Sequence, residues 1–178
     1  MATASASKTT ARQYSPNAIH LVRNAQINNV TLSRMADQKA SILMGATFVV
    51  FSLTVGRTLS AGLSFPLIVL GVFAFASSLC AVAAVMPSVE APPPTGGGLN
   101  RLFFGHFGAM DEAEWTEGML DDLETDERLF RVMLHDIHQH GRMLLTRKYR
   151  YLGYAYRVFV AGLVLTLVAF AAERLGLV

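Results

Sequence analysis

Three stretches without a charged residue decide what this chain can fold into. No Asp, Glu, Lys or Arg lies between Lys39 and Arg57, between Arg57 and Glu90, or between Arg157 and Glu173. A bilayer core of about 30 Å is crossed by roughly 20 apolar residues rising about 1.5 Å each. The first run, Ala40–Gly56, has 17 residues, and Lys39 and Arg57 at its ends can snorkel outward to extend it. In the second run, Thr58–Val89, the membrane part reads as Pro66–Met86. Ser64 is its cap, Pro66 sits in the first turn and Pro87 is its stop. The third run, Val158–Ala172, has 15 residues and follows a belt of Tyr151, Tyr154 and Tyr156. An amphipathic or core helix is the alternative for this last run. Against a usual charged share of about a quarter, 52% apolar and 16% charged residues in a chain of 178 exclude an ordinary soluble domain. A disordered or collagen-like chain is excluded too. The single cysteine, Cys80, excludes a disulfide framework and a Cys-rich zinc module. Inside its apolar run it reads as a small buried or lipid-facing residue.

Charge between the runs sets an expected orientation. Arg57–Phe65 is too short to be a domain, so the first two spans form a hairpin whose outer ends share one compartment. Lys8, Arg12, Arg23, Arg34 and Lys39 precede the first span, and eight further basic residues, from Arg101 to Arg157, separate the second from the third. The hairpin tip has only Arg57 and the tail only Arg174. The positive-inside rule then places the N-terminus and the long middle segment in the cytoplasm and the C-terminus outside. Residues 1–15, rich in Ala, Ser and Thr, are followed by no apolar signal region and read as a disordered start. The expected fold is an all-α membrane protein. Three transmembrane helices (40–57, 64–86, 155–174) carry a cytoplasmic helical region built from extensions of the first and third. That region is a helix over 16–39 and a second part over 102–154, joined by a Pro/Gly linker over 87–101.

Ser15-Pro16 reads as the start of the first helix, with Ser15 as cap and Pro16 in the first helical position. Its cytoplasmic stripe of Ile19, Val22, Gln26, Asn29, Ser33 and Ala36 is only partly apolar, suited to a partner helix or a polar pocket. The linker holds Pro92–Pro94 and Gly96–Gly98. After it, Leu102, Phe103, Phe104 and Phe107 need cover from protein or from the membrane surface. Asp111–Glu127 has nine acidic residues and no basic one, which reads as a solvated helix face, the alternative being a cation-binding or regulatory surface. From Leu123, a seven-residue step through Phe130, Ile137, Leu144 and Tyr151 predicts one seam on a long helix that continues into the third span. Arg142–Arg157 has five basic residues and no acid, a collar explained by topology and anionic lipid.

No catalytic set stands out. His135, Asp136, His138 and His140 are the best metal candidates, but only His135 and His138 share a helix face, and no fourth ligand suggests itself. There is no phosphate-cradling Gly-rich loop and no nucleophile elbow. What remains is a polar cluster before the first span: Asn24, Asn28, Asn29, Arg34, Asp37 and Lys39. Arg34 and Asp37, three apart, are placed for an intrahelical ion pair.

The order of these features resembles the Pycsar effector transmembrane family (PycTM) of bacterial anti-phage defence. Asp37-Gln38-Lys39-Ala40 leads directly into the first span after Asn24–Asn29. Phe104-Gly105 and an apolar-acidic run follow the linker, and Arg147-Lys148-Tyr149 stands before the last span. The resemblance covers about residues 17–172. It implies a non-enzymatic inner-membrane effector. A partner cyclase makes cyclic UMP or cyclic CMP on infection; the effector binds it and impairs the membrane. No cofactor, metal or nucleic acid is implied beyond the activating nucleotide. A cyclic pyrimidine nucleotide needs a cation for its phosphodiester, a ring to stack on its base, and Asn or Asp for its polar edges. Asp37 and Lys39, then Asn28, Arg34, Phe104 and Lys148, are the expected ligand contacts. Three spans cannot enclose a wide pore, so membrane damage implies a homo-oligomer. A membrane-anchored scaffold pairing through the Leu123–Tyr151 seam is the alternative, and an enzyme using His135, Asp136 and His138 a third.

Overall fold

The computed structural model describes residues 12–86 and 99–176. Most of the expected disordered start, and residues 87–98 of the Pro/Gly linker expected over 87–101, lie outside the described residues. The elements are α1 (Ala18–Ala61), α2 (Phe65–Val85), α3 (Phe104–Phe107), α4 (Glu112–Leu123), α5 (Asp126–Met143), a π-helical stretch (Leu144–Tyr149) and α6 (Arg150–Arg174). No strand occurs among the described residues. Three helical runs, Ala18–Ser60, Phe65–Val85 and Asp126–Arg174, are long and apolar enough to cross a membrane. This is an all-α membrane protein. It divides into two compact units, one of Asn28–Val89 with Gln139–Val178, the other of Met1–Ile27 with Glu90–His138.

The first unit is the bundle of spans, and it packs on small residues. α2 buries Gly71, Ala74, Ser77, Ala81 and Ala84; α6 buries Leu152, Ala155, Gly162 and Ala169. From α1 come Ala36, Ala40, Leu43, Thr47 and Thr54. These recur every three or four residues, or at multiples of that step, so each helix turns one narrow, small-sided stripe inward. The large apolar side chains point the other way: Ile42, Phe48 and Leu53 on α1, Leu79 on α2, and Leu163 and Leu167 on α6 are exposed. In water this arrangement would be upside down. In hydrocarbon it is favourable, because lipid tails solvate Leu as well as protein does and association relies on close backbone approach. Gly162 shows how close: a Cβ built there would collide with Phe73 Cβ. Ser77 Oγ donates to the Ala155 carbonyl across the α2–α6 interface at 2.8 Å. Cys80 is half-buried, packed against Leu43, Ala81 and Ala155.

The turn between α1 and α2 is closed by Gly62, whose φ of 86° is in the left-handed region. Its N–H donates to the Thr58 carbonyl at 3.1 Å, an ending a β-carbon would strain. Ser64 precedes α2 in extended conformation with Pro66 in its first turn, but the Ser64 hydroxyl makes no capping bond. The start of α1 falls two residues after the expected Pro16. Ser15 accepts from Asn17 N through Oγ (3.3 Å) and from Ala18 N through its carbonyl (2.9 Å), closing a turn before the helix proper.

The seven-residue seam is corrected at both ends. Leu123 ends α4 and is exposed; a break at Glu124–Thr125 separates it from α5. Of the downstream seam positions, Phe130 and Leu144 are buried and Ile137 is half-buried, while Leu152 is buried in place of Tyr151. The π-helical stretch bonds i to i+5 and so takes one residue more per turn. The step from Leu144 to the next inward residue becomes eight, and Leu152, Ala155 and Gly162 continue from the new phase.

The second unit is built around α3, α4 and the beginning of α5. Asp111 caps α4, its carboxylate accepting from Ala113 N at 2.9 Å and Glu114 N at 3.4 Å. Three carboxylates of the acidic segment are paired: Asp122 with Arg101 (2.6 Å), Glu124 with Arg128 (2.7 Å) and Glu127 with Arg131 (2.5 Å). The Phe-rich segment is partly covered by its own unit. Phe107 stacks on Trp115 at 5.6 Å, and Trp115 Nε1 donates to the Arg101 carbonyl at 2.9 Å, while Phe104 is exposed.

Candidate functional site

The most concentrated polar geometry of the bundle lies where α1 and the π-helical stretch meet. Lys148 Nζ donates to both Asp37 oxygens at 2.7 Å and to Ser33 Oγ at 2.8 Å. An ammonium has three protons, and all three are engaged. Ser33 and Asp37, four residues apart, stand one above the other on α1. Lys148 reaches them from inside the π-helical stretch, a geometry whose wider turn re-aims side chains. Beside it, Tyr149 Oη donates to the Leu32 carbonyl at 3.2 Å. Beneath lies an apolar floor of Ala36, Ala40, Ala84 and Leu152. The side chains are 30% exposed at Lys148 and 44% at Asp37, so the clasp is open to solvent on one side.

Of the expected ligand contacts, the structure brings together Asp37 and Lys148. Arg34 does not pair with Asp37; the carboxylate turns to Lys148 instead. Lys39 is exposed. Two residues on from Asp37, it lies on a different face of α1. Asn28 is exposed as well, eleven residues before Lys39 and therefore on Lys39's face. Phe104 belongs to the other unit, exposed on α3. Sequence reasoning missed Ser33 as a partner of Lys148. Its signal was available, four residues before Asp37 on the stripe already recognised as half polar.

In the second unit, Asp136 of the His135-Asp136 pair has a structural partner. Asp136 Oδ1 accepts from Asn100 Nδ2 at 3.0 Å, and Asn100 is 2% exposed. Asn100 Oδ1 accepts from Leu102 N at 3.0 Å, and Asn100 N donates to Nδ1 of the buried His106 at 3.1 Å. Asp136 thus pins the segment leading into α3. No group of three or more His, Cys, Asp or Glu side chains converges among the described residues. The Arg131 guanidinium, hydrogen-bonded to Glu127, holds that carboxyl below its ordinary range.

A family described as the Pycsar effector protein domain, PycTM, matches residues 20–173, a stretch that takes in all three spans and nearly all described residues of both units. The chain belongs to the PycTM family. It is a membrane effector of cyclic-nucleotide anti-phage defence, and the family implies a partner cyclase that makes the nucleotide. No curated protein and no solved structure matches the chain. Within this PycTM domain, the Asp37–Lys148 clasp lies on two of the motifs that carry the resemblance, Asp37-Gln38-Lys39-Ala40 and Arg147-Lys148-Tyr149.

Proposed function

We propose that this PycTM chain binds cyclic UMP or cyclic CMP on the cytoplasmic side of the inner membrane and responds by impairing the membrane, as a homo-oligomer and without catalysing a reaction. One observation carries this: the PycTM match runs through three apolar helices, and the polar extensions of the first and third belong to the same continuous helical runs. α1 has 44 residues, about twice the roughly 20 that hydrocarbon requires, and Asp126–Arg174 has 49. A ligand that reorients the polar part of such a helix acts directly on its span. The clasp supports the reading, because it couples the first and third spans at the polar end of the bundle. A ligand shifts such packing only through its difference in affinity for the alternatives. Lys148 has no proton to offer a phosphate unless Asp37 or Ser33 gives way, so ligand and clasp compete wherever Lys148 is a contact. In this reading the excess of basic residues puts Asp37 and Lys148 inside and Arg174 outside.

The test is membrane potential, read with a voltage-sensitive dye in cells expressing the chain. The matching cyclic nucleotide should collapse the potential, and its absence should leave the potential intact. A potential that survives both nucleotides rejects the effector. The alternative, a scaffold, is favoured by one feature, the exposure of Leu120 and Leu123 on α4; it predicts an unchanged potential and a stoichiometric partner.

A further inference from the structure

A groove of about 540 Å³ lies wholly within the second unit, lined by Leu99, Arg101 and Asp122 and by Arg131, Leu134 and His135 of α5. That volume is within the roughly 300–1,000 Å³ of small-molecule sites. Arg131, Leu134 and His135 stand at i, i+3 and i+4, so one face of α5 supplies a guanidinium, an apolar wall and an imidazole. Asn100 also lines the groove, and its bonds to Asp136 and Leu102 fix the segment carrying Leu99 and Arg101. The two guanidiniums come from separate segments, and each retains donors among the described residues. Arg101 bonds Asp122 through Nη1, and Arg131 bonds Glu127 through Nε and Nη2. The lining holds two guanidiniums, and each is already paired with one carboxylate, Arg101 with Asp122 and Arg131 with Glu127, so an anion would bind through the donors these pairs leave over. Leu99 and Leu134 are 51% and 53% exposed beside them, which leaves apolar surface wet next to charge. A small anion with a flat apolar part would cover both.

We infer that this groove is the cyclic-nucleotide site of the chain, with Arg101 and Arg131 on the phosphodiester and Leu99 and Leu134 against the base. This rests on the functional reading above and moves the ligand contacts from the Asp37–Lys148 clasp to the second unit. Guanidinium is suited to the task, because its planar fork meets two phosphate oxygens at once.

The purified full chain in detergent is titrated with cyclic UMP and cyclic CMP by calorimetry. Arg131→Ala should weaken the bound nucleotide about tenfold or more, with Arg131→Lys between it and the parent chain. Arg131 is exposed and its removal leaves the Asn100 bonds untouched, so the outcome does not depend on a marginal fold. Arg128→Ala, on the same helix but outside the groove, should bind as the parent does. If the parent binds and Arg131→Ala and Arg101→Ala both bind equally tightly, the groove is not the site, although the functional reading stands. If the parent binds neither nucleotide, both fall. Phosphatidylglycerol vesicles form a separate arm: Arg131-dependent vesicle binding that displaces the nucleotide would assign the groove to a lipid headgroup and overturn the inference.

Discussion

Lys148 is the residue whose environment most changes what its neighbours can do. With Ser33 and both oxygens of Asp37 as acceptors, it joins α1 to the helical run of the third span. The pair is partly solvated, which limits its worth to about 1 kcal/mol or less. Lys148→Met and Asp37→Asn should each lower bundle stability by that order, and the double substitution should cost little more than either alone. Thermal unfolding in detergent reads this directly. Additive losses would mean the two side chains act separately. The motif Asp37-Gln38-Lys39-Ala40 drew attention in sequence to this turn of α1. It did not show that Asp37 and Lys39 part company, because neighbours two apart on a helix face different ways, and the partner of Asp37 lies 111 residues on.

At the scale of elements, the helices are organised by side-chain size rather than by polarity. Gly162 and Gly153 make the point on one helix. A Cβ at Gly162 would collide with Phe73, whereas one at Gly153 meets nothing within 4 Å. Gly162→Ala should destabilise the bundle by about 1–3 kcal/mol through the forced separation of α2 and α6. Gly153→Ala should be neutral or stabilising by up to about 1 kcal/mol, since Ala is the better helix former. Equal losses in unfolding experiments would remove close backbone approach as the organising rule. The π-helical stretch is the second elemental feature. It shifts the inward stripe from Tyr151 to Leu152 and places Lys148 against Asp37. The seven-residue pattern was readable up to Leu144 because helical period is a local property. The extra residue was not, because Leu144–Tyr149 differs from an ordinary helical sequence only in the contacts that its wider turn satisfies.

For the whole molecule, the expected topology is measurable through the single cysteine. In a Cys80→Ala background, Leu63→Cys in the α1–α2 turn should react with a membrane-impermeant thiol reagent in intact cells, and Thr125→Cys should react only after permeabilisation. The opposite pattern would reverse the orientation. The three spans were legible in the amino-acid sequence because exclusion of charge from hydrocarbon acts residue by residue and needs no partner. The family was legible as well, from the short motifs that flank those spans in this chain. Which side chains meet was decided only by the tertiary structure. Asp37 with Lys148, Ser77 with the Ala155 carbonyl, and Arg101 and Arg131 on one groove are each joined by packing between segments far apart in the chain. A charge-free run states its solvent wherever it occurs, but a polar side chain states its partner only when another helix has brought that partner within hydrogen-bond reach.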